Sequence, residues 1–184
     1  MHHFNIFIEL TRLNKPIGFM LLFWPCSWGL AYAYSANQNT NLFIYYSILF
    51  FFLSVLMRSA GCIVFVLVDK VFDRKVKRTK ERPIASKKIS TSRSLFYVGV
   101  LCILAFVILI QFNFLTILLG IASMIPAFLY PFMKRITYWP QLFLGFTFNW
   151  GIILSWTAFN GYLSNEIIIL YFSAIFWTLG YDTI

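Results

Sequence analysis

The stretch GCIVFVLVDKVFDRKVKRTKERPIAS, residues 61–86, decides how the chain is read. An apolar run carries Asp69 and Asp73 out of a hydrocarbon-like segment, and a dense run of Lys and Arg follows at once. Positions four apart on a helix share one face, a turn apart, so both carboxylates point the same way. Hard cations such as Mg²⁺ take oxygen ligands, usually one or two carboxylates together with phosphate oxygens of a substrate. The Lys and Arg just beyond suit the phosphates themselves. The stretch therefore describes a membrane site for a diphosphate and Mg²⁺. The plainer alternative is an acidic helix end followed by a cytoplasmic anchor of positive charge.

Composition settles the class. Of 184 residues, 60% are hydrophobic and 21% aromatic, with only 11% charged, against about 25% charged in soluble domains. Mean hydropathy is +0.78. The chain reads as all-α, an integral membrane multi-helix bundle in a single domain over residues 1–184. The net charge of +9 does not point to nucleic acid, because most of it sits in one basic loop, Lys70–Ser92. Charge gathered beside a span sets topology and attracts anionic lipid. Cys26, Cys62 and Cys102 lie in apolar runs with no CxxC pair and read as small buried hydrophobes. His2 and His3 stand at the terminus without matching ligands. No small-residue cleavage site marks a secretory leader.

A span needs about 20 residues. Residues 1–15 form an amphipathic interfacial lead-in. Six spans follow: Ile17–Tyr34, Leu42–Val68, Ser94–Ile110, Phe114–Pro131, Trp139–Phe159 and Ile167–Tyr181. Pro25 predicts a kink or local widening in the first, and Pro126 a kink in the fourth. Arg82-Pro83 stops helix continuation in the basic loop. Arg12 and Lys15, the basic loop, and Lys134-Arg135 fall on one side, whereas residues 35–41, 111–113 and 160–166 hold no Lys or Arg. By the positive-inside rule the N-terminus is cytoplasmic. Asp69, Asp73, Lys134, Arg135 and Asp182 then share one membrane face. Arg58 lies inside the second span, where a charged side chain faces the protein interior or a wet cavity and marks a functional site by default.

Five stretches in order carry a resemblance over the whole chain: RLNKPIGFMLLFWP (residues 12–25), RSAGC (58–62), RTKERPIAS (78–86), YPFMKRITYWPQLFLGFTFNWGI (130–152) and LGYDTI (179–184). The pattern resembles the UbiA-type membrane-embedded aromatic prenyltransferases, in their 4-hydroxybenzoate branch. The resemblance implies an enzyme that moves a polyprenyl group from polyprenyl diphosphate to the ring of 4-hydroxybenzoate, in ubiquinone biosynthesis. It implies Mg²⁺ as cofactor and membrane lipid as surroundings. The location it implies is a bacterial inner membrane, crossed many times. The first family motif, NDxxDxxxD, falls on Phe65, Val66, Asp69 and Asp73, so its Asn and first Asp are replaced by apolar residues. Val71 falls where relatives of this branch often carry a further Asp. The second motif begins at Asp182. The resemblance thus implies Asp69, Asp73 and Asp182 as metal ligands and catalytic groups. It leaves Arg58, Lys134 and Arg135 to bind the diphosphate or the aromatic carboxylate. Family members have about nine spans, so the chain is expected to be a C-terminally incomplete piece that does not turn over substrate. A competing reading is a non-catalytic, lipid-binding relative, which Phe65, Val66 and Val71 favour. A transporter is disfavoured: neither repeated halves nor paired mid-membrane charges are evident.

Overall fold

A computed structural model describes residues 2–73 and 89–183, with backbone alone at 2–5, 71–73, 134 and 135. The described residues form eight helices: α1 (His2–Thr11), α2 (Ile17–Asn37), α3 (Thr40–Asp73), α4 (Thr91–Leu109), α5 (Phe114–Ala122), α6 (Met124–Ile136), α7 (Pro140–Asn160) and α8 (Asn165–Thr183). No strand occurs among them. Five stretches are long and apolar enough to cross a membrane: α2, residues 40–70 of α3, α4, residues 114–133 across α5 and α6, and α7. The sixth expected span is helical as α8, but Asn165, Glu166 and Asp182 among its 19 residues leave it less apolar, and it is not one of the five. The expected stop at Arg82-Pro83 and most of the basic loop lie outside the described residues.

The bundle is built on α2 and α7, which pack along one another; α3 joins α2, α4 joins α3, and α8 joins α7. Small residues set the α2–α7 approach. A Cβ at Gly29 would fall against Ser155 Oγ and 2.5 Å from the Ile152 carbonyl oxygen, and one at Gly151 would fall 2.5 Å from Cys26 Sγ. Close backbone approach of this kind is how helices associate in lipid, where the solvent is as apolar as the side chains.

The lead-in α1 does more than skim an interface. Its Ile6 and Leu10 are buried in a cluster with Ala60, Ile63 and Val66 of α3 and Val98 and Leu101 of α4. Pro25 sits within α2, which continues through it to Asn37. The fourth expected span is divided, as Pro126 foretold. Pro126 has no N–H for the carbonyl of Ala122, and its ring crowds that carbonyl. The chain breaks at Ser123 and resumes with the Ala127 N–H donating to the Ser123 carbonyl at 3.2 Å.

Polar side chains hold the helix ends facing away from the basic loop. Asn113 caps α5: its Oδ1 accepts from the Thr116 N–H at 3.0 Å, and its Nδ2 donates to the Thr157 carbonyl at 2.6 Å. Asn37 Nδ2 donates to Asn160 Oδ1 at 2.6 Å, joining the ends of α2 and α7. Ser164 precedes α8 and accepts from the Ile167 N–H at 3.4 Å. Hydrogen bonds from its own backbone N–H and from Ser164 hold the Glu166 carboxyl below the ordinary carboxylate range.

Candidate functional site

A cavity of about 540 Å³ lies within the bundle, walled by α2, α3, α4, α5, α6 and α7. Such a volume is ordinary for a small-molecule site, and so is a mainly apolar wall with a few placed polar groups. The apolar wall comprises Leu22, Phe50, Leu53, Met57, Phe65, Val66, Phe148 and Leu154 among others. Arg12, Ser54, Arg58, Ser123, Tyr130 and Thr147 supply the polar groups.

Arg58 is the chemical centre of this wall. Its guanidinium lies against the backbone of α2, where a Cβ at Gly18 would come within 2.9 Å of Nε. Its Cζ is 6.0 Å from the centroid of the Phe148 ring, a distance at which the ring quadrupole still attracts a cation. Its Nε is buried and has no hydrogen-bond partner. A buried charged donor left unmade costs more than an ordinary hydrogen bond returns.

The remaining expected site residues are disposed around this centre. Asp69 is half-buried on α3, one turn beyond Phe65 and Val66, and does not line the cavity. The backbone of α3 carries position 73 one turn further, and that of α6 carries positions 134 and 135 in its last turn; the side chains of Asp73, Lys134 and Arg135 lie outside the described residues. Asp182 is exposed on the last turn of α8. Tyr130 lies within electrostatic reach of Asp182 and Arg58 together, which brings the end of α8 and the middle of α3 to one tyrosine. Among the described residues, no three of His, Cys, Asp or Glu come together to hold a metal.

Of the polar residues on the wall, Arg58 alone is an expected site residue; Arg12 and Tyr130 add a charge and a phenol that the sequence does not single out. Arg12 enters the sequence reading through the interfacial lead-in, the charge bias and the first of the quoted stretches, without a site role. It adopts a left-handed φ of 56° in the turn between α1 and α2, uncommon for a residue with a Cβ, and its side chain reaches the cavity. Tyr130 stood inside a quoted stretch without a role. All three cysteines are free and all three line the cavity, so their apolar settings are the walls of one chamber.

Residues 22–184 match the UbiA prenyltransferase family. The chain is 47% identical over 179 residues to the mitochondrial 4-hydroxybenzoate polyprenyltransferase of Bos taurus, covering 97% of this chain and 48% of that protein. The human protein of the same name is 44% identical over 179 residues, with the same coverage. The chain thus spans about half the length of these relatives. Among solved structures, a UbiA homolog from Archaeoglobus fulgidus bound to DMAPP and Mg²⁺ matches with a TM-score of 0.72 at 15% identity, over 95% of this chain and 60% of that one. An apo UbiA homolog from Aeropyrum pernix K1 matches with a TM-score of 0.71 at 22% identity, over 89% and 61%. At these identities the likeness speaks for the fold. With a family match across nearly the whole bundle, this chain belongs to the UbiA prenyltransferase family.

Proposed function

We propose that this chain forms the acceptor-binding part of a membrane prenyltransferase that joins a polyprenyl group, supplied as its diphosphate, to the ring of 4-hydroxybenzoate for ubiquinone biosynthesis. The observation that carries the reading is Arg58, with a buried, unpartnered Nε on the wall of an apolar cavity. A carboxylate on an aromatic ring fits both features: the anion meets the guanidinium and the ring lies among Phe65, Phe148 and Leu53. The names of the relatives support the acceptor.

Mg²⁺ fits the donor set for a single ion. Asp69 and Asp73, one turn apart on α3, supply the one or two carboxylates such an ion takes alongside diphosphate oxygens. The turn before them, Phe65 and Val66, offers no oxygen. When bound, Mg²⁺ supplies charge neutralisation on the departing diphosphate. The rest falls to the chain's own groups. Arg58 orients the acceptor so that the ring carbon ortho to the hydroxyl faces the allylic carbon. Lys134 and Arg135 hold diphosphate oxygens through charge-assisted contacts, and Asp182 adds a carboxylate from α8. The apolar wall keeps water from the allylic cation. The membrane is read as a bacterial inner membrane or its mitochondrial counterpart, with the N-terminus on the basic, cytoplasmic or matrix side.

The test is equilibrium binding of 4-hydroxybenzoate to purified protein. A charged hydrogen bond of this kind contributes about 1.5–3 kcal/mol, so Arg58→Met should weaken binding by roughly ten- to a hundredfold, with Arg58→Lys in between. Equal binding by all three forms would reject the reading. Phe65 and Val66 on the cavity wall favour a second reading, a non-catalytic relative that binds isoprenoid lipid. That form would bind a prenyl diphosphate with no response to Mg²⁺.

A further inference from the structure

Arg58 reaches from the middle of α3 to the first turn of α2, and the place it reaches is made by a missing side chain. Gly18 is the second residue of α2. A Cβ there would fall 2.9 Å from Arg58 Nε, 3.5 Å from Nη2 and 3.6 Å from Cζ. The guanidinium as a group, and not one stray atom, thus takes the space of the absent Cβ. The backbone gives no other reason for a glycine at this position. Among the described residues Gly161 is the one glycine with a positive φ, so Gly18 does not serve a left-handed turn. Within a helix alanine is the better former. Nor does Gly18 line the cavity itself; it bears on that wall through Arg58.

Attraction does not explain why the guanidinium lies there. The first turn of a helix carries partial positive charge and turns N–H groups, not carbonyls, outward. The carbonyls just before it, of Lys15 and Pro16, already accept from the Gly18 and Met20 N–H groups at 3.2 and 3.1 Å. A cation at this spot therefore meets no acceptor from α2, in keeping with the buried, unpartnered Nε. The Phe148 ring, 6.0 Å from Cζ, attracts it only weakly at that distance. Shape is what remains: the notch at Gly18 admits the flat group and fixes its place. A methyl in the notch would overpack it, but the atoms in its way are the far end of a flexible side chain. Arg58 would yield, and the helix would not.

We propose that Gly18 is a positioning residue, whose bare Cα seats the Arg58 guanidinium against α2 and so fixes where the carboxylate of the aromatic acceptor is met. The inference rests on the acceptor reading above and goes beyond it, giving a role to a residue that reaches the acceptor only through another. A side chain at position 18 would leave the charge of Arg58 intact and move its fork. Recognition of a carboxylate by a guanidinium depends on that fork's geometry, and a small misplacement of a positioning group is costly.

The experiment is equilibrium binding of 4-hydroxybenzoate to the purified chain, arranged as a double-mutant cycle between Gly18→Ala and Arg58→Met. Thermal midpoints in detergent are measured on all four forms. Gly18→Ala should weaken binding by about fivefold or more, short of the loss in Arg58→Met, while its midpoint stays level or rises. In the Arg58→Met background the same change should alter binding by less than about twofold, because no guanidinium is left to displace. A loss that persists at full size in that background would show that Gly18→Ala acts through α2 itself, and would overturn the proposal. A smaller loss or none in Gly18→Ala would overturn it too. So would failure of Gly18→Ala to fold, since the notch would then serve the packing of the helix and not one movable side chain. The acceptor reading fails separately. If the unaltered chain does not bind the acid, or Arg58→Met binds it equally well, that reading falls and this one with it. Loss in Arg58→Met with none in Gly18→Ala removes the positioning role alone.

Discussion

At the residue scale, the site turns on three apolar side chains standing where resemblance expects an amide and two acids. Phe65 and Val66 line the cavity, and Val71 lies between Asp69 and Asp73 in the chain. Mg²⁺ demands near-octahedral oxygen coordination, so each missing carboxylate removes a ligand that water must replace. By analogy with single charge-stabilising donors, one such loss costs about 2.7–4 kcal/mol of transition-state stabilisation. On the prenyl-transfer reading proposed above, two such losses would slow turnover by about four orders of magnitude or more. Phe65→Asn, Val66→Asp and Val71→Asp together should therefore raise Mg²⁺-dependent binding of a soluble diphosphate analogue, read as protection from proteolysis. Clear Mg²⁺-dependent prenyl transfer by the unrepaired chain would show that these apolar residues do not cripple the site. Arg58 was legible in the sequence because a charge inside an apolar span has few other uses. Arg12 was not, because its place on the wall depends on a left-handed turn between α1 and α2.

At the element scale, the hairpin end of α4 and α5 is tied to the end of α7 by Asn113 and by Thr116, whose hydroxyl donates to Thr157 Oγ1 at 3.0 Å. Asn113 accepts the Thr116 N–H and hydroxyl while donating to the Thr157 and Ala158 carbonyls. Both carbonyls belong to the last turn of α7, where intrahelical partners run out. Loss of an N-cap costs about 0.5–2 kcal/mol, and the lost donation to the Ala158 carbonyl adds to that, while the Thr157 carbonyl keeps the Gly161 N–H at 2.8 Å. Asn113→Ala should lower the thermal midpoint in detergent, and Asn113→Asp, which keeps the acceptor and loses the donor, should lower it less. Equal midpoints for all three would remove the tie from the account. The start of α8 offers a pH test. The Glu166 carboxyl is held low by its own backbone N–H and by Ser164. Its contribution is present above the ordinary carboxylate range and is lost as pH falls through the lowered value. Hydrogen exchange at the first turn of α8 should accelerate across that acid window, and Ser164→Ala should blunt the change. An exchange rate indifferent to pH there would count against the cap.

At the scale of the whole molecule, two features decide the arrangement. The first is the α2–α7 seam. At Gly29 the obstacle to a side chain is the Ile152 backbone carbonyl at 2.5 Å, which cannot step aside as a flexible side chain would. Overpacking costs about 1–3 kcal/mol, occasionally more; Gly29→Val should sit at or above that range, as measured by unfolding in detergent. Gly61→Ala, facing open space, is the matched control and should be neutral or stabilising. The second is orientation. Charge bias places the basic connections on the cytoplasmic side, so a cysteine at Asn39 should be labelled from outside intact cells and one at Ser86 should not. The reverse pattern would invert the bundle.

The sequence by itself determined the class, the order of the helices and most of their limits. In hydrocarbon every backbone N–H and C=O must be paired within the segment, so a long apolar run can hardly be anything but a helix. Pro126 likewise announced its break, because a missing N–H acts locally wherever the helix lies. The facing of those helices was another matter. Lipid and protein interior are almost equally apolar, so a stripe of Phe and Leu does not say which side is core. Only the tertiary structure brought Arg58, Phe148 and Tyr130 to one chamber and set all three cysteines in its walls. Packing distances between helices depend on how small residues such as Gly29, Gly120 and Gly151 meet their opposite partners, and no pattern along one chain records that meeting.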